Sequence, residues 1–236
     1  MKSSGNFLNY RLSEDLLEKA KRNLDKSGYF LFDEITSEIF CNELVEEIDL
    51  LATETDVEIN YGGSEHRIWL SHQKSNLIPL FKDFSDLLVS YCMNKEYESY
   101  DILAYRNLKI DETNYDLLNN RWHIDSLNKQ LKVFLFLKDV DDGDGPLQWI
   151  PNTQKPLFKA IEVLKGNYLS PLDFLGKNRK YQNVPDDLIN VHLKKDLFIQ
   201  DCTVKKGTAL LIDTSCLHRA KPCFGSRYTL CSYYSN

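Results

Sequence analysis

Long apolar runs, paired cysteines and an excess of positive charge are all missing from this chain. No stretch of roughly 18 apolar residues occurs, so no segment reads as a membrane-crossing helix. The six cysteines, Cys41, Cys92, Cys202, Cys216, Cys223 and Cys231, form no CxxC pair, which argues against a zinc ribbon or a thioredoxin-type centre. They read instead as small buried or half-buried residues in a reducing compartment. Lys and Arg number 29 against 35 Asp and Glu, a net charge of −6, which disfavours a broad nucleic-acid footprint. The N-terminal MKSSGNFLNYRLSEDLLEKAK lacks the apolar core of a signal peptide, so the expected location is cytoplasmic and the expected partner a small molecule, with oligomeric state left open. Repeats and low-complexity segments are absent as well.

What is present fits one domain of 236 residues, a length at which barrels are commonly undivided. Residues 1–100 read as helical support. Leu16, Leu17, Ala20 and Leu24 form one side of a helix over Ser13 to Lys26, with Gly28 placed to end it. Tyr29 to Phe32 reads as a short strand. A second helix, about Ser37 to Leu51, carries Ile39, Phe40, Leu44, Val45, Ile48 and Leu51, with Thr36 or Ser37 as cap. The polar stretch Thr53 to Ser75 is expected to hold no regular element, because Gly62-Gly63 interrupts it. Its His66 and His72 are six apart, a spacing that suits neither strand nor helix ligation, and they read as surface or packing residues. A third helix over Leu77 to Cys92 carries Ile78, Phe81, Phe84, Leu87, Leu88 and Tyr91 at helical spacing.

Residues 101–236 carry the period-two patterns. Asp101 to Ile110, Leu131 to Leu137, Leu147 to Ile150, Thr208 to Ile212 and Arg227 to Tyr234 read as strands. In the first, Tyr105, Asn107 and Lys109 share one face. Val140 to Gly145, VDDGDG, fails the EF-hand register, since position twelve counted from Asp142 is Thr153 where a bidentate Glu is needed; a hairpin turn is the simpler account. Residues 156–205 form a long insertion with a short helix around Leu157 to Leu164, and a lid is the expected role. Tyr168, Arg179 and Tyr181 are its possible contacts.

The chemistry concentrates in Arg121 to Lys155 and Ala209 to Leu230. On an extended strand His123 and Asp125 point the same way, with Cα atoms about 6.6 Å apart, so imidazole and carboxylate can converge on one ion. His218, just beyond an apolar strand, is the best third ligand. Two imidazoles and a carboxylate on one face of an ion leave three positions open, the arrangement of non-haem Fe(II) oxygenases. Asp213 suits orienting the turn or a ligand histidine. Arg227 follows His218 by nine residues, and a buried arginine calls for an anion such as a 2-oxo acid. The same residues leave open a metalloenzyme of the cupin type that uses no oxo acid, and a noncatalytic sensor built on the same barrel.

The ordered set WHID, KVFLFLKDV, GPLQWIPNTQK and DTSCLHRA, followed by an arginine, resembles the phytanoyl-CoA dioxygenase family of Fe(II)/2-oxoglutarate oxygenases, including its ectoine hydroxylase branch. The resemblance covers Ile102 to Tyr233. It implies a double-stranded β-helix, a jelly-roll or cupin-like core, within a mainly β fold flanked by α-helices. It further implies that His123, Asp125 and His218 hold Fe(II), that Arg227 binds the distal carboxylate of 2-oxoglutarate, and that Asn107 and Phe134 adjoin that cofactor. Arg67 and Tyr105 would face the substrate. The implied reaction consumes O2 and 2-oxoglutarate, releases succinate and CO2, and turns a C–H bond into an alcohol. Asp125 disfavours halogenation, because related halogenases carry a small residue there. Gln154 and Asn152 depart from the family's GTHK or GSHK turn, a change confined to a hairpin.

Overall fold

The computed structural model describes residues 12–54, 56–110, 121–165, 169, 184–193 and 197–234. Among the described residues the first hundred positions hold three helices, α1 (Glu14–Ser27), α2 (Glu38–Glu54) and α3 (Ile78–Met93), with the short strand β1 (Tyr29–Phe32) between the first two. The Ser13 hydroxyl accepts the Leu16 N–H to start α1, and Gly28 ends it at φ +87°, donating its N–H to Leu24 O. For α2 the cap is Ser37, whose hydroxyl accepts the Phe40 N–H.

The helices bury Leu17, Leu24, Leu44, Ile48, Phe81 and Leu88 against one face of a seven-stranded antiparallel sheet. Each such side chain contributes on the order of 1.5–3 kcal/mol of burial. Two members of the expected stripes lie elsewhere: Ile39 is 72% exposed and Leu87 56%. Both sit on the flank of their helix, where the 3.6-residue period alone assigns a wider apolar face than a sheet can cover.

The sheet runs β1, β8 (Ala209–Asp213), β5 (Leu131–Phe136), β10 (Arg227–Tyr233), β4 (Asp101–Asn107), β3 (Glu65–Ile68) and β2 (Glu58–Asn60). β2 and β3 occupy a stretch expected to hold no regular element. Gly62 and Gly63, both at positive φ, lie between the two strands and turn the chain back. Opposite its free face lies a second antiparallel sheet, β7 (Gln200–Asp201), β6 (Leu147–Trp149) and β9 (His218–Ala220). Trp149, Phe136, Leu210 and Ile212 pack between the two layers. The result is the mainly β, jelly-roll architecture with flanking helices. Within 156–205 the structure adds α4 (Pro156–Lys165) and an unexpected α5 (Asp186–Leu193). Tyr168, Arg179 and Tyr181 lie outside the described residues, as does the segment 111–120. All six cysteines are buried and free, and no helix among the described residues is long and apolar enough to cross a membrane.

Register decides which side chains face the space between the sheets. Arg227 pairs with Asn107, Thr229 with both Tyr105 and Phe136, Cys231 with Phe134, and Tyr233 with Lys132. Arg67 pairs with Tyr105 and Glu65 with Asn107. Directly paired residues point to the same side of a sheet, so these groups form one inner wall.

Candidate metal centre

His123 and His218 meet across a short antiparallel bridge. The His123 N–H donates to His218 O at 3.0 Å, and the His218 N–H donates back to His123 O at 2.9 Å. Their ring centroids are 4.2 Å apart. His123 and Asp125 come together without the continuous strand that their i, i+2 spacing suggests: a bridge at His123 is followed by a bend at Asp125. The Asp125 N–H is fixed by Thr214 O at 3.1 Å.

Each imidazole holds its Nδ1 at a main-chain carbonyl: His123 with Arg121 O at 2.9 Å and His218 with Cys216 O at 3.0 Å. A carbonyl only accepts, so both rings carry their proton on Nδ1 and present the Nε2 lone pair inward. His123 Nε2 lies 3.7 Å from Asp125 Oδ1, and His218 Nε2 lies 3.5 Å from Oδ2. The three donor atoms fall within 4.8 Å of one another, a spacing that can hold a metal ion. Burial, reinforced by His123, pushes His218 down to about 3, so it is a neutral donor at physiological pH. Burial would raise the Asp125 carboxyl, but the Lys132 ammonium first, and then both histidines, outweigh it and keep the group ionised. Two imidazole nitrogens and one carboxylate oxygen form a donor set suited to a divalent first-row ion.

This cluster borders a cavity of about 150 Å³ lined by Arg227, Thr229, Phe134, Tyr105, Arg67 and Lys132, among others. Arg227 is 9% exposed, and one guanidinium nitrogen donates to Asn107 Oδ1 at 3.2 Å. Among the described residues no carboxylate pairs with it. Two residues along the same strand, the Thr229 hydroxyl is buried and has no hydrogen-bond partner. A buried arginine without an anion, beside an orphaned hydroxyl, fits a bound carboxylate. Phe134 lines the same wall and stacks with Phe136.

Asn107 touches Arg227 directly and donates its amide N–H to Glu65 Oε2 at 3.1 Å. Glu65 in turn accepts from Arg67 Nε at 2.7 Å, and Glu58 backs Arg67 on the solvent side at 3.5 Å. Arg67 also lies 5.8 Å from the centre of the Tyr105 ring, whose hydroxyl is 2.7 Å from that of Tyr233. Asp213 stays outside the cluster and accepts the N–H groups of Gln130 and Ser215, orienting the turn before His218. His66 and His72 take no part in the centre. Gln154 packs against Gly28, where a Cβ would come within 2.7 Å of its amide.

Sequence reasoning gave no role to Lys132, Glu65, Thr229 or Thr153. Thr153 Oγ1 accepts the Leu217 N–H at 2.8 Å and so anchors the segment bearing His218. Lys132 did carry a signal: in LKVFLF it occupies the inward register of Phe134 and Phe136, an uncommon place for an ammonium.

No family model and no curated protein matches the chain. Solved structures do. The epimerase SnoN in complex with Fe3+, alpha ketoglutarate and nogalamycin RO is 11% identical, with 95% of this chain and 85% of that chain covered at a TM-score of 0.68. EctD from S. alaskensis in its apoform is 16% identical, covering 98% and 82% at 0.66. HygX from Streptomyces hygroscopicus, with nickel and 2-oxoglutarate bound, is 14% identical, covering 95% and 87% at 0.58. At these identities the likeness establishes a shared fold, the jelly roll that carries the centre described above.

Proposed function

We propose that the chain is a single-domain, non-haem Fe(II)- and 2-oxoglutarate-dependent oxygenase that hydroxylates a C–H bond of a small metabolite, within the phytanoyl-CoA dioxygenase-like group. One observation carries the reading. The His123, Asp125 and His218 donors share a cavity with a buried arginine and an orphaned hydroxyl, both suited to a carboxylate. Two similar structures, those of SnoN and HygX, hold a metal together with the same oxo acid.

In this reading His123, Asp125 and His218 hold the iron. Arg227 and Thr229 receive the distal carboxylate of 2-oxoglutarate, Asn107 sets the angle of Arg227, and Phe134 forms a side wall. Bound there, iron and the oxo acid supply O2 activation coupled to decarboxylation, with one oxygen atom ending in succinate and the other in the product alcohol. The chain's own work is positional. It turns both Nε2 atoms inward, keeps Asp125 ionised, and lines the cavity with Phe134, Phe136 and Leu147. Tyr105 and Arg67 shape the substrate side.

The test is an anaerobic titration of the metal-free protein with Fe(II) and then 2-oxoglutarate, followed by visible absorption. A charge-transfer band in the wild type, lost in Asp125→Ala and weakened in Arg227→Ala, is the expected result. Iron binding with no spectral response to 2-oxoglutarate would overturn the proposal.

A further inference from the structure

Lys132 is a buried ammonium beside the metal donors. It is 9% exposed, its Nζ lies 2.7 Å from Asp125 Oδ2, and it stands 4.5 Å from the centre of the Tyr233 ring. Along β5 it faces inward with Phe134 and Phe136, and it lines the same cavity as Arg67 and Arg227.

The charges around that cavity can be paired off. Glu65 and Arg67 neutralise each other at 2.7 Å, and Glu58 lies on the outer side of Arg67, where water screens it. A divalent ion and Asp125, together with a doubly charged oxo acid and Arg227, also sum to zero. Lys132 is left over. Before loading, Asp125 compensates it; once the same carboxylate serves a metal ion, the nearly buried ammonium is a positive charge that no other carboxylate among the described residues offsets. Such a charge costs several kcal/mol unless an anion or a set of hydrogen bonds answers it. Among the described residues, no carboxylate other than Asp125 pairs with Lys132.

We infer that the substrate is an anion, bearing a carboxylate, phosphonate or phosphate group that Lys132 receives next to the metal. This rests on the oxygenase reading above. The cavity gives the rest of the molecule an apolar side in Phe134, Phe136, Leu147 and Ala220. The class is thus a small organic acid with an apolar body. Arg227 is not the receiving group, because saturating 2-oxoglutarate fills it.

The experiment uses Zn(II)-loaded protein with saturating 2-oxoglutarate, which binds ligands without turning over. Phenylacetate, butyrate and methylphosphonate are titrated by calorimetry beside phenylacetamide and butyramide. The expected result is at least tenfold tighter binding of acids than of their amides. That preference should persist in Lys132→Arg and vanish in Lys132→Gln, and carboxylate against phosphonate distinguishes the two acid types. Equal binding of acids and amides by the wild type, or an acid preference unchanged in Lys132→Gln, would overturn the inference. The charge-transfer band of the Fe(II) protein separates the two levels. If it forms while the acid preference is absent, only the substrate class falls; if it never forms, both fall.

Discussion

Among the described residues Arg227 finds one hydrogen-bond acceptor, Asn107 Oδ1 at 3.2 Å, and it lines the cavity. Asn107→Ala leaves the charge in place and loosens its aim. Affinity for 2-oxoglutarate should fall on the order of tenfold, the usual scale for a hydrogen bond to a charged group. Asn107→Asp should be worse than Ala, because the new carboxylate would occupy Arg227 itself; titrating the charge-transfer band in both variants ranks them. Thr229→Val is predicted to move two quantities in opposite directions. Removing a buried, unpartnered hydroxyl leaves the metal-free protein as stable or about 1 kcal/mol more stable in urea unfolding, whereas 2-oxoglutarate binding weakens several-fold. A variant weaker in both would show that the hydroxyl serves packing alone. Residue types and order were enough to expect His123, Asp125, His218 and Arg227 around one cavity, where the structure brings them together. Lys132 and Glu65 escaped notice since their importance comes from cross-strand neighbours, which no local spacing reveals.

At the level of elements, the strands around the centre follow the alternation of their residues closely. β4, β5, β8 and β10 each lie within three residues of the expected limits, because a strand buried on both faces tolerates little beyond apolar and inward-facing functional groups. The β2–β3 hairpin was hidden: Glu58, Asn60, Glu65, His66 and Arg67 are polar, and the edge position lets them remain so. α5 was hidden by its short length within a polar insertion. The end of α1 is a place where local and distant constraints meet, since Gly28 stands at positive φ and a Cβ there would push aside the amide end of Gln154. Gly28→Ala should therefore destabilise the protein by about 1–2 kcal/mol, mostly through the backbone term. Pairing it with Gln154→Ala, which clears the steric conflict, should recover part of the loss in urea midpoint while the backbone term stays.

For the whole molecule, stability should depend on pH through the metal-free centre. The folded value of His218 lies at about 3, below its ordinary 6.5, because burial and His123 oppose its protonation. As pH falls, the unfolded chain therefore takes up a proton that the folded chain refuses. The contribution is complete above about 6.5 and declines steadily toward about 3. His72, lowered chiefly by burial, adds in the same direction. Urea midpoints of the metal-free protein should drop from pH 7.5 to pH 5, and His218→Asn should flatten that slope. The main-chain bridge between His123 and His218 has a consequence for the order of assembly. These two residues are 95 positions apart in the chain, and their peptide groups clasp each other through two main-chain hydrogen bonds. In the oxygenase reading, closing that long loop is thus an expense of folding and not of metal binding, and the ion would encounter a rigid chelate. Protection of the His123 and His218 amides from exchange with deuterated solvent, before any metal is added, would be the visible sign of it.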